Sequence, residues 1–362
     1  MPEQILSLSI EKKIGQMFFI GIPAAEFDSA TRELIEKIAP GGVCLFARNI
    51  REASKTRKLL DDVTNASVTL PFLSIDQEGG LVDRLRRVLE PMPAVGELKN
   101  LGQVKKLAEI TAEVLRLLGF NMNFAPVVDV SSNERQKYIN GLNSRIFGTS
   151  KEDVAGFGKT YLETLQKSFI IGCLKHFPGL AASEIDSHEE LPIVNISQDI
   201  LFEEDLFPYR AIKSYAVMIA HAAFPKTDLQ ERDQSGKLLP SSLSYNFTTK
   251  LLRNGLRFEG ISITDDMEMG AIVNNYGIGE ACKMAINAGV DMLAICNNPV
   301  AILEGFEAVT KAVNSGEISE TRINESLKRI ARVKNIIKTP LPFDESRLHE
   351  LSKEILELKH NL

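Results

Sequence analysis

The sequence contains no tryptophan and only six tyrosines among its 362 residues. Tryptophan platforms, on which open polysaccharide clefts stack sugar rings, are therefore missing. No apolar run approaches the ~18 residues that a membrane-spanning helix needs, so we expect no membrane partner. Residues 1–16 lack a basic segment followed by an apolar one, which argues against a secretory leader.

Cysteine is also scarce, and its placement argues against disulfides and metal binding. None of the four cysteines belongs to a C-x-x-C motif. Three lie inside apolar, strand-like runs and the fourth lies on a predicted helix: Cys44, Cys173, Cys296 and Cys282. Buried free thiols are the expected state, and they favour a reducing, cytoplasmic location.

The charge balance excludes further classes of partner. The net charge is −6, the pI is about 5.6, and charged residues make up 25% of the chain. This acidic balance argues against nucleic acid and against an anionic membrane surface as partners. The hydrophobic content of 44% is ordinary for a globular protein, and no internal repeat or low-complexity tract is present.

Apolar, strand-like segments alternate with amphipathic helical segments along most of the chain. The strand-like segments are 15–22, 41–48, 71–76, 122–130, 170–176, 216–221, 260–265 and 291–296. The helical segments are 26–38, 51–65, 104–118, 151–167, 198–214, 243–256, 279–288 and 300–313. Such alternation indicates parallel strands joined by crossover helices, and eight units predict an α/β fold of the (β/α)₈ TIM-barrel type. An open doubly wound sheet is the alternative, but no phosphate-binding glycine motif follows the first strand.

Two more helices, 319–337 and 345–359, follow the eighth unit. Two prolines interrupt the chain between them, at Pro340 and Pro342. We predict a single barrel domain over residues 1–338 and a helical extension, 339–362, that packs on the barrel. No linker that would separate a second domain is evident.

Titratable residues follow the predicted strands at the ends where barrel enzymes carry their chemistry. The strand-end residues are Arg48, Asp76, Asp129, Lys175, His176, His221 and Asp265, and Arg84 and Arg145 lie on the loops beyond. Such residues are costly to bury without a partner, so their recurrence predicts a catalytic rim. For any one of them the alternative is structural, since Arg48 and Asp129 could pair only to brace the rim.

Two kinds of chemistry fit this rim. A metal centre could use His176, His188, His221, Asp186 and Asp265, but the first strand does not end in the H-x-H that metal-dependent barrel hydrolases use. A retaining glycosidase needs a nucleophilic carboxylate and a nearby acid/base. Asp265, at a strand end, is a candidate nucleophile. The metal-free chemistry is the expectation.

The acid/base has several candidates. Asp266, Glu268 or Glu184 could supply a second carboxyl group. Alternatively, Asp186 lies two residues before His188, and a carboxylate there would orient the imidazole and raise its pKa towards neutrality. The segment 186–188 could also be a loop turn without chemistry.

Specific segments of the chain resemble family 3 glycoside hydrolases, in particular the single-domain bacterial β-N-acetylglucosaminidases (β-N-acetylhexosaminidases) of cell-wall recycling. The similar segments, in the family's order, are GGVCLFARNI (41–50), IDQEGGLVDRL (75–85), NMNFAPVVDV (121–130), SRIFG (144–148), KHFPG (175–179), DSHEELP (186–192), ITDDMEMGAI (263–272) and AGVDMLAIC (288–296). The resemblance covers about residues 10–335. The combination of KHFPG, D-S-H and T-D-D-M-x-M is highly specific.

The resemblance implies a barrel, a double-displacement mechanism and no metal or organic cofactor. Asp265 would be the nucleophile, His188 the acid/base and Asp186 its partner. Residues that would bind the terminal N-acetylglucosamine are Asp76, Arg84, Arg145, Lys175 and His176, and we add His221 from its strand end. The substrate would be a carbohydrate such as a muropeptide fragment. For the protein itself, a monomeric state is favoured.

The chain also departs from the family's usual pattern. Leu180 and Ala181 stand where the family has histidine and glycine after KHFPG, and Leu81 stands where it has arginine. Alanine cannot adopt the positive φ angles open to glycine, so the loop that carries His188 is expected to move differently. Two alternative functions stay open: a glycoside phosphorylase that uses the same intermediate, and a sugar-binding relative without catalysis.

Overall fold

Eight parallel strands form a closed barrel in the computed structural model, which describes residues 5–132, 135, 141–183 and 190–362. The strands are β1 Phe18–Gly21, β2 Gly42–Leu45, β3 Phe72–Ile75, β4 Met122–Asn123, β5 Ile171–Phe177, β6 Ala216–Ile219, β7 Ile261–Asp266 and β8 Met292–Ile295. They pair in chain order, and β8 pairs with β1 to close the barrel. The predicted (β/α)₈ architecture is confirmed.

Helices surround the barrel and return the chain to the start of each next strand. They are α1 Ile10–Gly15, α2 Ser29–Ile38, α3 Ala53–Ala66, α4 Leu101–Leu118, α5 Lys151–Lys167, α6 Gln198–Ile200, α7 Phe207–Ala211, α8 Gly270–Val273, α9 Ile278–Ala288, α10 Pro299–Asn314, α11 Glu320–Lys334 and α12 Glu345–His360. Two π-helical segments, Leu201–Asp205 and Asn246–Gly255, complete the crossovers before β6 and β7. Several helices begin with a side-chain cap, such as Asp28 accepting from the Thr31 N–H before α2.

Two predicted elements differ from the structure. The predicted strand 122–130 is regular only over β4, because Pro126 has no N–H to donate to the ladder. Pairing resumes beyond the proline, where the Val128 N–H donates to the Lys175 carbonyl oxygen at 2.8 Å. The predicted helix 198–214 is divided into α6, a π-helical turn and α7, with Pro208 in the first turn of α7.

Aromatic side chains fill the barrel below the strand ends. The ring of Phe19 stacks on Phe72 at 5.7 Å and meets Phe124 edge-on at 5.3 Å, measured between centroids. A Cβ atom at Gly42 would lie 2.1 Å from the Phe19 ring, so the glycine makes room for this packing. On the opposite face of β1, Phe18 packs against Phe306 of α10. The floor of the barrel is therefore a packed core.

The C-terminal helix α12 lies against α4. Its buried residues are Leu348, Leu351, Ile355 and Leu358. Arg347 forms a two-pronged ion pair with Glu113, with nitrogen–oxygen distances of 2.7 and 2.8 Å. The division of the chain at residue 338 stays a prediction.

The predicted burial of the four cysteines is confirmed, and all four thiols are free. Across the residues that the structure describes, no helix has the length and apolar character needed to cross a membrane.

Candidate active site

A pocket of about 470 Å³ opens at the C-terminal ends of the strands. Its wall includes charged residues from the ends of β3, β5 and β7 and from the segments that follow β3, β4 and β7: Asp76, Glu78, Arg84, Arg145, Lys175, His176, Asp265, Asp266 and Glu268. The volume lies within the range of small-molecule sites. This is the end of the barrel at which enzymes of this architecture place their catalytic groups.

Irregular strand pairing brings consecutive residues of two strands into this pocket. From Leu174 to Phe177, β5 advances by three residues while β6 advances by two, and β7 shows the same excess against β8 between Ile263 and Asp266. In a regular strand, neighbouring side chains point to opposite faces. The extra residue in each ladder explains how both members of each pair, Lys175–His176 and Asp265–Asp266, line the same pocket.

Glu78 is the centre of a buried ion-pair network in the pocket. Its Oε1 lies 2.5 Å from the Lys175 Nζ, and its two oxygens accept from the Arg145 Nε and Nη2 at 2.7 and 3.0 Å. Lys175 also donates to Asp76 Oδ1 at 2.7 Å. Two cations are thus held in place by two carboxylates from the loop after β3, and Asp76 retains an oxygen able to accept from a ligand.

The network fixes the charge of its members. Burial by itself raises the pKa of Glu78, but the charges of Lys175 and Arg145 lower it to about 2. Burial lowers the pKa of Lys175, whereas the neighbouring Asp76 and Glu78 raise it, and the net direction is upward. At neutral pH the pocket therefore presents a fixed ammonium and a fixed guanidinium, groups that can donate to the oxygen atoms of a ligand.

Asp129 positions the KHFPG segment from below. Its Oδ2 accepts from the His176 Nδ1 at 2.8 Å and from the His176 backbone N–H at 3.2 Å, and its Oδ1 accepts from the Leu180 N–H at 2.6 Å. Because Nδ1 is engaged, a contact of His176 with a ligand would use Nε2. Asp129 thus holds the His176 side chain and the backbone of the KHFPG segment in position at the rim of the pocket.

Asp265 and His221 lie together at the end of β7. Burial by itself raises the pKa of Asp265. The opposing effects of His176, His221, the Asp266 N–H and Lys175 are larger together, so the net shift of the pKa is downward. The Asp265 carboxylate is therefore ionised at neutral pH. The His221 Nε2 donates to the Asp266 carbonyl oxygen at 3.2 Å, and its Nδ1 lies 2.7 Å from the Ser242 hydroxyl. Burial lowers the pKa of His221, which favours the neutral imidazole with Nδ1 accepting from Ser242.

Arg84 and Arg48 share one aromatic ring at the side of the pocket. Their guanidinium carbons lie 5.8 and 4.7 Å from the centroid of Phe46, within the range of cation–π attraction. The Arg48 Nη2 also donates to the Cys296 carbonyl oxygen at 2.6 Å. The Arg84 Nε is buried and has no hydrogen-bond partner in the part of the chain that the structure describes.

Comparison with known proteins agrees with this geometry. The model of the glycosyl hydrolase family 3 N terminal domain matches residues 9–333. The chain belongs to glycoside hydrolase family 3.

Three relatives illustrate the similarity. Beta-hexosaminidase A of Pseudoalteromonas piscicida is 30% identical over 348 residues, which cover 87% of this chain and 56% of that protein. Beta-hexosaminidase of Xanthomonas campestris pv. campestris (strain B100) is 28% identical over 305 residues, which cover 81% of this chain and 88% of that protein. The structure of a family 3 β-N-acetylglucosaminidase from Paenibacillus sp. str. FPU-7 aligns with a TM-score of 0.86 at 31% identity, covering 97% of this chain and 69% of that one. The chain thus spans little more than half of the Pseudoalteromonas protein.

The barrel of this family 3 chain brings most of the predicted site residues together. Those that line the one pocket are Asp76, Arg84, Arg145, Lys175, His176 and Asp265. His221 has both ring nitrogens on protein groups, so its predicted contact with substrate stays a prediction. Asp186 and His188, with Glu184, lie outside the described residues.

Sequence reasoning assigned no role to Glu78, although it is 4% exposed and joins both cations. The position of Glu78, two residues after Asp76 in the same loop, was the sequence feature that could have indicated its role.

Two of the five candidate ligands of the alternative metal centre, Asp186 and His188, lie outside the described residues. Among residues 5–132, 135, 141–183 and 190–362, no group of three or more histidine, cysteine, aspartate or glutamate side chains could hold a metal ion. The Nδ1 atoms of His176 and His221 lie within hydrogen-bond distance of Asp129 and Ser242.

Proposed function

We propose that this protein is a retaining, exo-acting β-N-acetylglucosaminidase that removes a terminal, non-reducing, β-linked N-acetylglucosamine. The observation that carries the proposal is the ionised Asp265 in a pocket whose lining includes fixed hydrogen-bonding charges. A carboxylate with a lowered pKa can attack the anomeric carbon and form a glycosyl ester. The names of the relatives support the choice of sugar.

The surrounding groups suit one sugar ring. Asp76 can accept from hydroxyl groups, and Lys175, Arg145 and Arg84 can donate to hydroxyl or acetamido oxygens. Lys175 and Arg145 are held by Glu78 before substrate arrives, so little reorganisation of these two donors is needed on binding. A pocket of this size and charge suits the end of a chain better than its middle.

The proposed mechanism has two displacements. Asp265 Oδ attacks the anomeric carbon while an acid protonates the departing oxygen, and water then attacks the glycosyl ester as the same group removes its proton. We assign the acid/base role to His188, oriented by Asp186. The dyad rests on the family resemblance of residues 186–192.

The decisive experiment compares aryl β-N-acetylglucosaminide, β-glucoside and β-xyloside, with and without phosphate. We expect phosphate-independent turnover of the first substrate, and the first product formed should have the β configuration by NMR. Asp265→Ala should lower kcat/KM by at least about a thousandfold, whereas the surface control Asp62→Asn should not. Sugar-1-phosphate formed only with phosphate would show a phosphorylase, and sugar binding without turnover would show a non-catalytic protein.

We further propose peptidoglycan fragments as natural substrates and a cytoplasmic location. The four buried free thiols support a reducing compartment. Incubation with purified muropeptides tests the substrate, because mass spectrometry would detect loss of one N-acetylhexosamine. Unchanged muropeptides, with turnover of the aryl N-acetylglucosaminide, would reject this substrate class alone.

A further inference from the structure

Leu81 is an exposed apolar side chain in the wall of a charged pocket. It is 68% exposed, whereas two other apolar residues of the wall, Leu180 and Met269, are each 7% exposed. A single exposed leucine on a protein surface needs no explanation. At a binding pocket, however, the apolar surface of Leu81 is available to a ligand. Whether Leu81 can discriminate between ligands depends on how rigidly its backbone is held.

The backbone beneath Leu81 is firmly held. The N–H groups of Glu78 and Gly79 donate to the Val82 carbonyl oxygen at 3.0 and 3.2 Å, and the Val82 N–H donates back to Gly79 at 3.1 Å. Gly80 has a φ of +57°, and a Cβ atom there would lie 2.6 Å from the Ala94 Cβ, so this turn requires glycine.

Side chains and neighbouring loops add to this support. The Arg86 Nη2 donates to the Leu81 carbonyl oxygen at 3.1 Å, and the Gly80 N–H donates to the Met92 carbonyl oxygen at 3.0 Å. Leu81 is therefore presented at the tip of a fixed turn, so little conformational entropy of the backbone is lost when it contacts a ligand.

The exposed fractions of the lining side chains distinguish a buried floor of the pocket from an exposed mouth. Lys175 and His176 are 2% and 5% exposed, and with Glu78 they form the floor, whereas Leu81 lies at the mouth. If the terminal sugar occupies the charged floor, as the proposed function requires, the leaving group extends outward past Leu81. The first atoms beyond the scissile oxygen would then meet an apolar surface.

We propose that Leu81 forms a leaving-group site selective for apolar substituents. Among glycosides whose leaving groups are otherwise alike, those that carry an alkyl or aryl group, or a similar apolar substituent, next to the glycosidic oxygen are preferred. Burial of such a group against Leu81 removes apolar surface from water on both partners. The contact adds binding energy on the leaving-group side without touching the sugar, so it sets specificity between aglycones.

Methyl and n-hexyl β-N-acetylglucosaminides test this proposal. Their leaving alcohols have similar acidity, so the ratio of their kcat/KM values reports contact with the alkyl chain and not bond chemistry. We expect the native protein to prefer the hexyl compound by about tenfold, as for a partly exposed apolar contact. Leu81→Ser should bring the ratio near one by lowering kcat/KM more for the hexyl compound than for the methyl compound, and Leu81→Met should retain the preference.

Leu101→Ser is the matched control, since Leu101 is 50% exposed at the start of α4 and is not part of the pocket wall. It should keep the native ratio. A native ratio near one, or an equal ratio in native protein and Leu81→Ser, would overturn the proposal. If neither glycoside is hydrolysed, the proposed function itself fails, which is a distinct outcome.

Discussion

The charge of Glu78 should be worth several kcal/mol to the fold, and Glu78→Gln removes it with almost no change in shape. In the native pocket this carboxylate is the shared partner of Lys175 and Arg145. A glutamine at position 78 would leave the buried Arg145 guanidinium without the carboxylate that it now contacts. One of the two oxygens that accept hydrogen bonds from Arg145 would become an NH₂ group, which cannot accept. Removing one member of a buried pair typically costs ~3–5 kcal/mol.

The pKa of Glu78 gives an independent magnitude. A pKa lowered from 4.5 to about 2 corresponds to roughly 3 kcal/mol of free energy of unfolding, at about 1.4 kcal/mol per pH unit. Because the folded pKa lies below the unfolded one, this stability is present above pH 4.5 and is lost as the pH falls towards 2. Glu78→Gln should therefore be destabilised at pH 7 and should lack this component of acid sensitivity.

The assay is urea unfolding followed by circular dichroism at pH 7 and at several values between 4.5 and 3. Glu113→Gln is the matched control, because Glu113 makes a similar two-pronged pair with Arg347 at the surface, where both side chains are about a third exposed. That change should cost less than ~1 kcal/mol. Equal destabilisation by the two substitutions, or a native pH profile in Glu78→Gln, would refute the reasoning.

Three further changes have expected outcomes. Asp129→Asn should lower kcat/KM by roughly 10–100-fold through loss of a charged acceptor for His176, and an unchanged value would contradict the positioning role. Burial lowers the pKa of Lys334 to about 7, so between pH 7 and 10 the amine binds a proton more readily in the unfolded chain than in the folded protein. The free energy of unfolding should therefore rise from pH 7 towards 10, and urea titrations of Lys334→Met should show a smaller rise. His188→Ala should slow alkyl glycosides far more than glycosides of acidic phenols, so equal loss in a leaving-group series would reject the acid/base role.

Much of the fold could be predicted because it depends on local patterns. Most barrel strands lie in apolar runs that are visible without knowledge of their neighbours. The predicted strand 122–130 was too long because the prediction did not take account of Pro126, which has no N–H to donate to the ladder. The exact register was not, because the extra residues in β5 and β7 depend on what each strand meets in its partner.

The site was predictable in its members but not in its organisation. Strand-end position alone pointed to Asp76, Lys175 and Asp265. The role of Glu78 depends on contacts with residues 67 and 97 positions away in the sequence, which no local pattern encodes. The exposure of Leu81 likewise depends on how its turn lies in the fold, where the Gly80 N–H donates to the Met92 carbonyl oxygen, and no local pattern shows it.

Asp265 and Asp266 show why adjacent identical residues can differ in chemistry. The cationic and imidazole groups around Asp265 lower its pKa, whereas burial, with Glu268 and Asp265 as negative neighbours, raises the pKa of Asp266 to about 7. Near neutral pH, therefore, Asp265 is fully ionised and Asp266 is not, which supports the proposal of Asp265 as the nucleophile. The extra residue in β7 places both carboxyl groups at the pocket, and their different neighbours give them different charge states. Which aspartate of a D-D pair can act as a nucleophile therefore depends on the barrel around the pair and not on the pair itself.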